Sequence, residues 1–347
     1  MSLRSSGVHG CLERRTSCRQ YEAEGRTIVR QAMACRADAS RLRQSATPWG
    51  RWLMSIAPCR WPVLWYYECM GIDRFIGIDL AWAQSGARTK PNESGVAAID
   101  GHGVVIECGW TRGLDETMSW LAKTAVDGST LAFVDAPLVV DNPVGQRPCE
   151  REVGQRYGRW KVSANSTNQS SPRQAGVLLR ERLQESGWAY DDGRGGPPTG
   201  GLVFSECYPY TTLVGAAELG YDQERPTYKR RPARVPTARW RAVRAAECAR
   251  MIGRMEGLTT ADPPLLLSSH PVSRQLVSEP SPQKAADYKH LEDLIDALLC
   301  AWTAALWSRH GLARCQVLGA DSSLPPGQAP TIIAPARPEQ RRDRGAR

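Results

Sequence analysis

Five carboxylates in the 347-residue chain stand where strands or helices should carry apolar groups. Asp79 closes the run FIGID, Asp135 follows LAFV, Glu206 follows LVFS, and Asp293 and Asp296 lie in HLEDLIDALLCAW. Acids are seldom set beside a core unless they are paired or bind a cation. No basic residues match them within the strand segments, so the pattern predicts a divalent-metal site and phosphate chemistry.

Asp79 and Asp135 each end a strand-like apolar run, at the sheet edge where α/β proteins build their sites. Ala136-Pro137 stops the second run, because proline cannot donate to a ladder. Glu206 ends a third run and is followed by Cys207-Tyr208-Pro209. Each could instead cap a turn or sit on an exposed edge. Asp293 and Asp296 are three apart on a helix, so they share a face and repel one another. A metal would reverse that cost, and a salt bridge from Lys289 or His290 would relieve part of it. His290 is the one histidine near the acids, placed for a surface role or a proton-shuttling one. No GxSxG and no glycine-rich phosphate loop is present.

The elements that must position these acids are legible from Arg74 onward. Strands are expected over Phe75–Leu80, Glu93–Ile99, Val104–Cys108, Leu131–Val134 and Leu202–Cys207. The turn Asp100-Gly101-His102-Gly103 joins the second and third as a hairpin. Helices are expected over Leu114–Val126, from a cap at Ser171 with Pro172 in first position to Gly187, from Tyr208-Pro209 to near Gly220, and over Pro236–Glu256. Lys284–Arg309 is the strongest helical pattern in the chain. Asp141–Asn168 reads as a loop with a helical piece, and Thr260–Pro282 as connection. Gln316–Leu318 and Thr331–Ala334 could add a closing pair of short strands. The fold class is therefore α/β.

Residues 1–69 carry 11 Arg, no Lys and 5 acids, and residues 336–347 carry 5 Arg and 2 acids. The stretch between is balanced at 29 bases and 29 acids, so the net charge of +9 belongs to the ends. Residues 1–69 lack any sustained period. They read as disordered or as an extension upstream of a start at Met70, with a genuine basic arm as the alternative. Residues 70–335 read as one domain and 336–347 as a basic disordered tail. Eleven scattered cysteines without ligand spacing fit free thiols in a reducing cytoplasm. The broken apolar run from Trp52 to Tyr67 is too short for a membrane span. Lys229 to Arg254 holds nine bases to one acid. Its Lys229, Arg241 and Arg244, with Arg147 and Arg151 of an earlier basic patch, are candidate phosphate contacts or a solvated face.

The run GIDLAW, VDAPL, Arg147-Pro-Cys-Glu-Arg151, ECYP and EDLIDALLCAWTA resembles the domain of unknown function 429 family over about residues 73–335. That family is described as predicted nucleases with an RNase H-like fold, related to RuvC-type resolvases. The resemblance implies a mixed five-stranded sheet flanked by helices, with inserted loops and helices. It places Asp79 on the first strand, Asp135 at the end of the fourth and Asp293/Asp296 as the DxxD of the last helix. Glu206 matches the family's Glu-x-x-Pro. The expectation is a nuclease acting on DNA or RNA through two Mg²⁺ or Mn²⁺ ions, held by Asp79, Asp135, Asp293 and Asp296 with Glu206 also catalytic. The alternative is a nucleotide- or nucleic-acid-binding regulatory protein of the same fold without turnover.

Overall fold

The computed structural model describes residues 71–81, 92–172 and 174–341. The expectations for residues 1–69, and for the last six of the tail, lie outside the described residues. In chain order the elements are β1 (Arg74–Asp79), β2 (Glu93–Asp100), β3 (Val105–Arg112), α1 (Gly113–Thr124), β4 (Ser129–Val134), α2 (Pro148–Tyr157), α3 (Ala175–Glu185) and β5 (Ala189–Tyr190). There follow β6 (Gly201–Glu206), α4 (Pro209–Gly215), α5 (Thr237–Glu256), α6 (Pro271–Ser278), α7 (Ala285–His310), β7 (Cys315–Leu318), β8 (Ile332–Pro335) and α8 (Pro338–Arg341).

Six strands form one mixed sheet in the order β3-β2-β1-β4-β6-β5. β1 pairs antiparallel with β2, and β2 with β3, while β1–β4, β4–β6 and β5–β6 are parallel. The sheet thus has one strand more than the five expected. The extra strand is the two-residue β5, too short and too close to the glycine-rich loop to carry a periodic signal. β7 and β8 form a separate antiparallel pair.

Alternation along the strands divides the core in two. Phe75, Leu131, Phe133 and Val203 face one way, into a cluster with α4, α5 and α7. Ile76, Ile78, Ala132, Val134 and Phe204 face the other, with Leu121 of α1 and Leu179 and Leu183 of α3. This period of two assigns the acids before any contact is considered. Asp79 and Asp135 continue the Phe75 and Phe133 parity, toward α7. Glu206 pairs across from Val134 and takes the opposite face.

α7 carries the heaviest packing, with every residue from Asp293 to Trp307 buried. It lies on β1 and β2 with backbone against backbone. A Cβ at Gly77 would fall 1.9 Å from the carbonyl oxygen of Ala297, and one at Gly95 2.0 Å from that of Asp293. Both positions need glycine for this close approach.

Several local expectations are corrected. α3 starts at Ala175 behind Gln174, not at Ser171-Pro172; the Ser171 amide closes a turn on the Asn168 carbonyl. The connection after Thr260 contains α6, capped by His270, whose Nδ1 accepts from the Val272 amide at 3.2 Å. The supposed tail begins inside the fold. Ala336 is buried, and Arg337 is held by the carbonyls of Val214 and Tyr221 and by Asp222. Among the described residues, no helix is long and apolar enough to cross a membrane.

Gly77→Ala is expected to lift α7 from β1 and cost about 3 kcal/mol or more, at the upper end of overpacking penalties. Urea unfolding of the variant checks this. An unchanged midpoint would show that the helix is free to move off the sheet.

Candidate metal centre

β1 and β4 run parallel with Ile78 opposite Val134, and the Asp135 amide donates to the Ile78 carbonyl at 2.8 Å. The two strand-end aspartates are thereby neighbours on one face. α7, laid across that face, adds Asp296 from above. Ligand oxygens of Asp79, Asp135 and Asp296 all lie within 4.8 Å of one another. Asp296 is fully buried, and its Oδ1 accepts from the Tyr228 hydroxyl at 2.7 Å. Tyr228 is itself held by the Tyr288 hydroxyl, which donates to its carbonyl at 2.8 Å.

Asp293 lies one helical turn before Asp296, close enough to Asp79 for the two charges to interact. Burial, and then the Asp79 charge, push Asp293 up to about 8. Burial followed by the Asp296 charge raises Asp79, and burial followed by the Asp79 charge raises Asp135 well above the usual carboxylate range. The cluster is therefore self-repelling, as close carboxylates must be.

The expectation that no bases attend these acids is corrected. Lys229 donates to Asp296 Oδ2, and Lys289 donates to Asp293 Oδ1. The salt bridge weighed for Asp293 is thus present. Lys229, expected as a phosphate contact, sits among the acids, whose charges hold its ammonium well above the ordinary range against the effect of burial. His290 is bonded to Glu93 at 2.8 Å and stacked on Trp110 with ring centroids 3.4 Å apart. It tethers α7 to β2 and β3.

Glu206 does not join the cluster. On the far face of the sheet it receives Arg147 in a two-pronged pair, at 2.8 and 2.6 Å, and the Leu138 amide at 2.9 Å. Arg147 Nε donates to Glu150 at 2.9 Å, and Nη1 also donates to the Val139 carbonyl. Arg147 is 1% exposed with all three nitrogens committed, so its assignment as a nucleic-acid contact is corrected. Glu206 instead fixes the loop that follows Asp135, and removing either buried partner would leave a charge unpaired. Arg151 is exposed and bonds the Gln146 carbonyl. Arg241 is exposed, and Arg244 lies 3.6 Å over the Tyr288 ring.

Asp79, Asp135 and Asp293 line a cleft of about 560 Å³, with Asp296 buried behind them. Arg112, Arg225, Arg230 and Lys289 line its sides, with Tyr208 and Tyr210. Arg225 is a cationic group that the sequence reading passed over, and Arg230 entered it only as one of the nine bases of Lys229–Arg254. Their loop reaches the cleft only through the tertiary fold. One buried oxygen, Asp79 Oδ2, has no hydrogen-bond partner among the described residues. An orphaned carboxylate oxygen facing two further carboxylates suits a hard, oxygen-seeking cation such as Mg²⁺ or Mn²⁺.

The fold and site define an α/β protein with an aspartate cluster at the C-terminal ends of the two central strands of a mixed sheet. The chain belongs to the family described as protein of unknown function (DUF429), whose model matches residues 77–321. No curated protein and no solved structure matches the chain.

Raised carboxylate values in the fold mean that the native state binds more protons than the unfolded chain. Stability from such a group is full below its unfolded pKa and is lost as pH rises through the folded one. For Asp293 the window runs from about 4 to about 8. In EDTA, Asp293→Asn should therefore gain on the wild type as pH rises from 5 to 7, by about 1 kcal/mol per pH unit, levelling off above 8. Denaturant midpoints across that range check it. A flat difference would mean that Lys289 keeps Asp293 ionised throughout.

Proposed function

We propose that the protein is a metal-dependent nuclease of RNase H-like fold that hydrolyses phosphodiester bonds. The observation that carries this reading is the convergence of Asp79, Asp135 and Asp296 within 4.8 Å. Their positions support it as well: the first strand, the end of the fourth, and the long last major helix over that face. The mixed sheet flanked by helices is compatible with such a fold, with six strands in place of five.

Asp79, Asp135 and Asp296 would hold the cation, with Asp293 at the rim. The bound metal would supply a nucleophilic water and charge stabilisation for the leaving oxygen. The chain's own groups do the rest. Asp79 Oδ2, without a partner among the described residues, is free to accept a hydrogen bond from a water or to ligate a cation. Tyr228 fixes the rotamer of Asp296. Arg225 and Arg230, which line the cleft, are placed to bind substrate phosphates and orient the backbone over the acids. The half-buried Tyr208 ring lines the cleft and offers a face on which a base could stack, whereas the buried Tyr210 ring is covered by Arg225.

Labelled DNA and RNA oligonucleotides incubated with the full chain test the reading, in Mg²⁺, in Mn²⁺ and in EDTA. Cleavage is expected with either metal and none in EDTA. Asp79→Asn should lower it by about 100-fold or more while leaving the metal-free protein as stable or more so. Cleavage that survives EDTA, or that Asp79→Asn leaves intact, would place the chemistry elsewhere.

A further inference from the structure

The two oxygens of Asp296 are both taken. Oδ1 accepts from Tyr228, and Oδ2 accepts from the Lys229 ammonium. Asp79 Oδ2, facing the same space, has no partner. An ammonium thus sits where the acids call for a cation, and it occupies an oxygen that a metal would need.

The two members of this pair differ in freedom. Asp296 is fixed on α7, fully buried, with its Oδ1 anchored. Lys229 comes from the loop between Gly220 and α5, and its side chain is 20% exposed at the cleft. Its ammonium lies between the Tyr210 and Tyr228 rings, 5.4 and 5.5 Å from their centroids. A lysine's four-carbon stem can reorient without moving the backbone. Aromatic faces give the departing charge a favourable path toward the cleft. There it would join Arg225 and Arg230.

Resting on the metal-site reading above, we propose that Lys229 is a built-in substitute cation. It neutralises the aspartate cluster in the metal-free protein, is displaced from Asp296 when a divalent metal enters, and then faces the cleft as a phosphate-binding group. Acid clusters otherwise cost stability, so the device lets the fold form before metal arrives. It also couples the two ligands. Metal entry presents one more cation to phosphate, and phosphate holding the ammonium in the cleft vacates the metal site. By linkage each tightens the other.

Two measurements decide this, neither of which depends on cleavage. Mn²⁺ affinity, read from the free-ion paramagnetic resonance signal, should be about tenfold tighter or more in Lys229→Gln than in the wild type. A unit charge competing at contact distance is worth at least that factor in a partly buried site. Lysine acetylation followed by peptide mass spectrometry gives the second reading, on the unaltered chain. Saturating Mn²⁺ should raise the reactivity of Lys229 severalfold and leave that of exposed Lys123 unchanged. This arm stands even if the variant does not fold. Equal or weaker Mn²⁺ binding by folded Lys229→Gln would overturn the proposal, as would a Lys229 that stays protected with Mn²⁺ bound. Either result leaves the nuclease reading standing. If folded wild type and variant both fail to bind Mn²⁺, the metal-site reading falls as well.

Discussion

The contact on which the site depends is the backbone approach of α7 to β1 and β2. At Gly77 and Gly95 the helix carbonyls of Ala297 and Asp293 occupy the space of a side chain. No larger residue permits that spacing. It sets how near Asp296 comes to the strand-end aspartates, and it buries the helix from Asp293 to Trp307. The parallel pairing of β1 with β4 fixes the remaining dimension, since it puts Asp79 and Asp135 side by side.

Charge then has to be managed in a place the packing has made dry. Three aspartates converge with Asp293 at their rim, and two lysines answer them. The Coulomb repulsion among the acids raises Asp79, Asp135 and Asp293, favouring their protonated forms, and is offset in part by Lys229 and Lys289. On the other side of the sheet the same problem has a different solution. Glu206 and Glu150 share one buried guanidinium, from Arg147, and further backbone amides. That network is closed, with Arg147 sealed from solvent. The aspartate cluster is open at the cleft and keeps an unpartnered oxygen. The contrast separates a structural carboxylate from those able to take a ligand.

Much of this was legible in the sequence, and the exceptions have physical causes. Asp79, Asp135 and Asp296 stand out because charge interrupts apolar periodicity. Glu206 interrupts it too, but strand alternation puts it out of step with Asp135 by one residue, and one residue changes the face. The acid stands fifth in both LAFVD and LVFSE, so parity within the runs cannot separate them; the register that sets Val134 opposite Glu206 does. Arg147 sits in a polar stretch that reads as surface, and only the three-dimensional path of that stretch buries it. Lys229 lies 67 residues from its partner Asp296, and no local pattern reports such a pairing. The helix α6 hides in a segment rich in serine and proline, because Pro271 at a first helical position looks the same as a proline in a loop. β5 is too short for any period.

The central claim is that the three aspartates hold a divalent cation. Crystals grown or soaked with Mn²⁺, measured near the manganese absorption edge, test it most directly. The account predicts an anomalous peak about 2.0–2.2 Å from carboxylate oxygens of Asp79, Asp135 and Asp296. A map with no peak among these three, or with manganese bound only elsewhere on the molecule, would contradict it.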